Sequence, residues 1–165
     1  TTIPSYLTIF YIHVYSAIFA LLFGVFQFIK IKNKRIQQLH KISGKIYFYI
    51  VVFLAAPSGI FIGFYANGEL IAKTAFVILG ILWWIFTIIG LLKIKEKNIR
   101  VHQNFMMRSY ALALSALTLR AWKVALVFLF HPSPMDVYQI VAWLGFIPNL
   151  LLVELYIYKT KPSKS

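Results

Sequence analysis

Eight polar side chains stand in or beside otherwise apolar runs of this chain: His13, Gln27, His40, His102, Arg108, Arg120, Asn149 and Glu154. Ionisable groups at membrane depth are costly and need compensating partners, so the question is what they hold. Two imidazoles on facing helices can take the axial positions of a b-type haem, with arginine or lysine neutralising its propionates. His40 and His102 are the pair placed for that role, and Arg108 is the cation beside them. Zinc suits the set less, because a protein zinc site takes three or four protein ligands. Met106 and Met107 add thioethers, which are more often flexible packing groups. Nucleophilic catalysis has no support: there is no cysteine, and no serine stands in a G-x-S-x-G elbow. A phosphate-binding glycine loop is missing as well.

The elements that must position these groups follow from composition. Of 165 residues, 61% are hydrophobic and 18% aromatic, and the mean hydropathy is +0.78, far above the usual balance of a soluble domain. Five apolar runs, residues 6–29, 44–65, 70–92, 105–130 and 137–158, each approach the roughly 20 residues that cross a hydrocarbon core. The first lacks a basic start and a small-residue cleavage site and is too long for a signal peptide, so it reads as a helix. Strands of a membrane barrel would be far shorter. The expected fold is an all-α, polytopic transmembrane bundle of five spans in a single domain over residues 1–165, with no linker or internal repeat.

The formal charge is +13, from 17 Lys and Arg against 4 Asp and Glu. In a soluble chain that would point to nucleic acid; here the cations lie in the connections, so nucleic acid is not expected as a partner. Six Lys or Arg fall in residues 30–45, five in 93–108 and three in the tail KTKPSKS, whereas TTIPS, ANGE and HPSPMD hold none. The positive-inside rule then places the N-terminus outside and the C-terminus inside.

Turning residues by 100° each gives every helix but one a polar stripe. His102, Ser109, Ala113, Ala116 and Arg120 share a sector of the fourth span, His13, Ala20, Gly24 and Gln27 one of the first, and His40, Gly44, Tyr47 and Ser58 one of the second. The third span, ILWWIF and its neighbours, has no ionisable group apart from Lys73 near one end and reads as a lipid-facing wall. Depth sorts the rest into two layers. His40 and His102 lie at inner ends near Gln27, Arg108 and Glu154, while His13 and Arg120 lie at similar depth in the outer half with Asn149 nearby. Arg120 is expected to face the interior and meet Asn149, His13 or an anion. His131, in HPSP, reads as an exposed loop residue. Small residues and hydroxyls on such faces also serve plain helix packing, which is the simpler account of any one histidine; the joint pattern makes a site competitive.

The segments FGVFQF, LHKISGKIY, HQNFMMRSYALALSALTLR and AWLGFIPNLLLVEL resemble the bacterial membrane family named domain of unknown function 2306, over roughly residues 13–155. The resemblance singles out His13, Gln27, His40, Gly44, His102, Met107, Arg108, Ser109, Tyr110, Arg120, Trp143, Asn149 and Glu154. Val25 stands where family members tend to carry a proline before FQF. The family name assigns no activity. An arrangement of paired histidines in a small bundle is also similar, by analogy alone, to transmembrane haem b cytochromes.

These readings converge on a small redox-associated subunit binding haem b or a quinone through the inner histidines, with His40 and His102 as metal ligands and His13, Gln27, Arg108, Arg120, Asn149 and Glu154 around the cofactor. The alternatives are a non-catalytic accessory subunit of a larger membrane complex, or a binder of a small anionic or lipid-like ligand at Arg120 and Asn149. Partners are then the lipid bilayer and other complex subunits. No catalysis by the chain on its own is expected.

Overall fold

The computed structural model describes residues 4–131 and 133–160, and every regular element among them is helical. Helix α1 (Pro4–Val25) ends in a short 3₁₀ turn, Phe26–Phe28. Helix α2 (Lys34–Ile50) starts where the Asn33 side chain accepts a hydrogen bond from the Ile36 amide at 2.9 Å, satisfying one of the free amides of a helix N-terminus. A π turn, Val51–Ala55, joins α2 to α3 (Ala56–Phe64). Helix α4 (Glu69–Lys95) is unbroken; α5 (Ile99–Ala113) and α6 (Ser115–Phe130) meet at Leu114 with a bend of 41°. Helices α7 (Pro134–Leu144) and α8 (Ile147–Lys159) meet at Gly145 and Phe146.

Four helical segments are long and apolar enough to cross a membrane, or five when α5 and α6 count as one span. The helical segments run beyond the apolar cores seen in the sequence: the second span begins at Lys34 and the fourth at Ile99. Up-and-down alternation gathers the connections rich in Lys and Arg at one end, called here the basic end, where Arg100 also donates to the Thr160 carbonyl at 3.1 Å. Lys161 and Lys164 of the tail, like residues 1–3, lie outside the described residues.

The core overturns one expectation. Helix α4 is no lipid-facing wall but the central element, packed on α3, α5 and α7. Its buried face is Ala72, Ala75, Gly80, Trp83, Thr87 and Gly90. Small side chains at helical spacing let neighbours approach closely: a Cβ at Gly80 would lie 2.6 Å from the Ile60 side chain, and one at Gly90 would lie 2.8 Å from Met106 Sδ. Neutral donors on the same face then enter a buried network. Trp83 Nε1 donates to Tyr47 Oη at 3.1 Å, Tyr47 Oη shares a proton with Ser109 Oγ at 2.7 Å, and Ser109 Oγ meets Thr87 Oγ1 at 2.7 Å. Three helices, α2, α4 and α5, are tied by groups that have no water to turn to.

Each interruption within a span has a donor from elsewhere. In the π turn the Ala56 amide bonds to the Val51 carbonyl, so the next carbonyl in that register, Val52, would need a proton from residue 57, which is proline. Trp84 Nε1 supplies it at 3.1 Å. At the α7/α8 break Pro148 likewise lacks an amide proton, and the free carbonyl of Gly145 accepts from Thr118 Oγ1 at 2.5 Å and Asn149 Nδ2 at 3.2 Å. Asn149 Nδ2 also reaches the Ala111 carbonyl at 3.1 Å, just before the α5/α6 bend, and Thr118 Oγ1 at 3.1 Å. One amide thus joins two helix breaks.

Candidate functional site

A cavity of about 190 Å³ lies in the half of the bundle away from the basic end. Its walls come from α1, the π turn, α3, α4, α5, α6 and α7, with Trp83 and Leu112 at its deeper side and Tyr6, Ala66 and Tyr138 toward the opposite end. Most of that wall is apolar or small; His13 is the ionisable group on it with an acid–base range near neutrality. The volume exceeds the roughly 150 Å³ that admits a benzene-sized guest.

His13 is held by the π turn. Its Nδ1 lies 2.9 Å from the Ala55 carbonyl and 3.4 Å from Ser58 Oγ. A carbonyl only accepts, so Nδ1 carries the proton and Nε2 is left as a bare acceptor. Nε2 has no hydrogen-bond partner among the described residues, and it is not sealed from the cavity. Gly59 makes room for the ring: a Cβ there would stand 2.8 Å from His13 Cε1. Turn and tautomer are therefore linked, from the Ala55 carbonyl at the end of the π turn to the open nitrogen.

At the basic end, His40 and His102 come close enough for their charges to act on one another. His102 Nδ1 donates to the Gly90 carbonyl at 2.7 Å, which fixes its tautomer with Nε2 outward, as outer-shell carbonyls fix metal-binding histidines. His40 Nδ1 is buried and meets no group in hydrogen-bond geometry, although the Phe26 carbonyl is near enough to act on the ring. Gln27 joins this layer through the backbone, donating to the His40 carbonyl at 3.3 Å and to Ser43 Oγ at 2.7 Å. Its side chain fills the space left by Gly44, where a Cβ would lie 2.9 Å from Gln27 Oε1. Arg108 sits over the Phe105 ring and pairs with Glu154 through both Nε and Nη2, the latter at 2.9 Å. Among the described residues no three His, Cys, Asp or Glu side chains assemble into a metal-holding group.

The expected outer trio does not form. Arg120 is exposed on α6 and makes no hydrogen bond or ion pair with another described residue; Asn149 is engaged with the helix breaks, and His13 with Ala55. The reason is the 41° bend at Leu114, which carries the second half of the fourth span away from α1, so that α6 packs on α7 and shares no packed interface with α1. His131 is exposed, as read from the sequence. Residues that the sequence reading passed over are Trp83, Thr87, Trp84 and Thr118. The signal for the first two was the small-residue stripe of α4, with Ala72, Gly80 and Gly90 at spacings that share a face.

Four or five apolar helical spans with hydrogen-bonding groups turned inward define a multi-pass integral membrane protein in contact with the lipid bilayer. This chain belongs to the family described as predicted membrane protein (DUF2306), whose model matches residues 10–157. No curated protein and no solved structure matches it.

Proposed function

We propose that the protein is a membrane-embedded binding protein whose cavity takes the polar end of a lipid-soluble molecule, with His13 Nε2 accepting a proton-bearing group from it. The observation that supports this most is the bare Nε2, fixed by the Ala55 carbonyl, on the wall of an otherwise apolar cavity. A hydroxyl, as on a quinol, or the O–H of an acid meets that requirement; a molecule with acceptors alone does not. The cavity holds a headgroup or a single ring, and the rest of such a ligand lies along the bilayer. The test is saturable binding of dodecanol to the protein in nanodiscs of neutral lipid, after subtraction of its partition into empty discs. The wild type binds it, and His13→Phe loses at least tenfold in affinity. Partition by the wild-type protein identical to that of empty discs rejects the reading.

A second reading rests on the inner pair. His40 and His102 are mutually close, and His102 has its Nε2 turned outward by Gly90. Two imidazoles suit the axial positions of a haem b, whose bound iron would supply one-electron transfer. Arg108, the residue placed beside a propionate by the sequence, is committed to Glu154, so charge neutralisation falls to other cations of the basic end. A Soret band in the purified protein, lost in both His40→Ala and His102→Ala, supports this reading. A colourless, folded wild type rejects it.

A further inference from the structure

We infer that the cavity opens sideways to the bilayer between α1 and α6, and that the molecule entering there is an amphiphile with an acidic headgroup, read by Arg120 at the rim and by His13 inside. The inference rests on the cavity being a binding site, and it narrows the two proton-bearing groups allowed above to one.

The opening follows from the packing. In the half of the bundle that holds the cavity, α1 packs on α3, α3 on α4, α4 on α7 and α7 on α6, but α6 shares no packed interface with α1. The ring of helices is open at that one seam. Both flanks of the seam line the cavity, α1 through Phe10 and His13 and α6 through Ser115 and Ala116. Toward the opposite end the cavity is bordered by Tyr6 and Tyr138.

Arg120 marks the rim of this seam. It follows Ala116 by four residues, so it lies on the same face of α6 about one turn, roughly 5.4 Å, further on. Helical Cα–Cβ bonds tilt toward the helix N-terminus, and the N-terminus of α6 is the bend at Leu114, so the Arg120 stem leans toward the cavity. Lys123 comes three residues later and is also exposed. Neither cation has a hydrogen-bond or ion-pair partner among the described residues, although both lie within an apolar helix. Unpaired cations in hydrocarbon are disfavoured, so an anion at the rim is the missing counterpart. The four acids of the chain are placed elsewhere: Glu154 pairs with Arg108, Glu96 with Lys93, Asp136 accepts from Ser133, and Glu69 begins α4. A headgroup with one acidic O–H and one charged oxygen satisfies both sides, donating to His13 Nε2 while accepting from the guanidinium. Its chain leaves through the seam.

A phosphate monoester monoanion carries both oxygens, whereas a carboxylic acid has the O–H or the charge but never both at once, and three C12 probes separate them: dodecyl phosphate, dodecanoate and dodecanol, each titrated against the full chain in neutral nanodiscs. Dodecanoate as the tightest of the three overturns the inference; dodecyl phosphate is expected to bind the wild type at least tenfold tighter than dodecanol and tighter than dodecanoate. Arg120→Ala is expected to abolish that preference and leave dodecanol binding unchanged; Arg120→Lys should restore part of it. Ala116→Phe, which fills the seam, should weaken all three. Dodecanol binding that depends on His13, with no acid preference or with one unaffected by Arg120→Ala, overturns this inference and leaves the cavity reading standing. An acid preference that depends on Arg120 but is untouched by both His13→Phe and Ala116→Phe overturns it too, because the acid then sits on the surface. No binding of any probe overturns both. Because Arg120 is exposed, its replacement leaves the packing of the bundle intact.

Discussion

Trp84 donates its indole proton to the carbonyl of Val52 across 3.1 Å, and Pro57 is what leaves that carbonyl in need of it. The two residues are thus coupled through that carbonyl. Trp84→Phe should destabilise the protein by about 1 kcal/mol, in the range of single hydrogen bonds inside membrane proteins. Pro57→Ala restores a backbone proton, so in that background the same change should cost less than half as much. A double-mutant cycle on unfolding in mixed micelles checks this; equal costs in the two backgrounds would refute the account of the π turn.

The buried network makes a ranking. Tyr47→Phe takes away the acceptor of Trp83 Nε1 and one partner of Ser109 together, whereas Ser109→Ala leaves Tyr47 with Trp83 and leaves Thr87 with the Trp83 carbonyl at 2.7 Å. Tyr47→Phe should therefore cost more, about 1–2 kcal/mol, because it strands a buried donor. Thermal unfolding that finds Ser109→Ala the more harmful would contradict the assignment of donors.

Asn149→Asp offers a pH-dependent probe. The native amide donates to the Ala111 and Gly145 carbonyls and to Thr118 Oγ1. A carboxylate in its place only accepts, so it faces carbonyl oxygens with no proton to offer, while its protonated form regains one donor. Burial raises the carboxyl pKa above its unfolded value, so the variant binds more protons folded than unfolded, and its stability should rise as pH falls from 8 toward 5. The wild type should show no such gain in that interval from residue 149. A variant equally stable at both pH values would argue against the placement of the amide.

Topology is the fourth expectation. A C-terminal reporter should read cytoplasmic and an N-terminal one should read outside, because fourteen of the 17 Lys and Arg belong to the segments assigned to the inside. The reverse result would exchange the leaflets: the seam between α1 and α6 would then draw from the inner one.

What the sequence made legible depended on how many bodies each feature involves. Span number and length are properties of one segment, so hydropathy was enough to place four spans and, where α5 and α6 count as one, a fifth. That His40 and His102 belong to one end was also within reach, since each lies in the first half of a helix that begins there. Arg120 was misplaced because an unbroken helical projection carried its face through Leu114, and residues 105–130 contain neither proline nor glycine to announce a bend. The centrality of α4 was missed for a different reason. Attention to ionisable groups passes over Trp83 and Thr87, which hold the core with uncharged donors. At the α7/α8 break the clues were present in Gly145 and Pro148, yet the use of Asn149 depended on carbonyls from two helices, which no single segment reveals.

The cross-helix donors impose an order on how the protein is made. Chain synthesis runs from the N-terminus, so residues 99–130 leave the ribosome ahead of Asn149. Without that amide the Ala111 carbonyl has no proton except the one a straight helix provides from residue 115, and lipid offers none. The nascent fourth span is therefore expected to be a single straight rod that kinks when the fifth arrives. The cavity, whose α6 wall exists only after that kink, is the last part of the molecule to take shape.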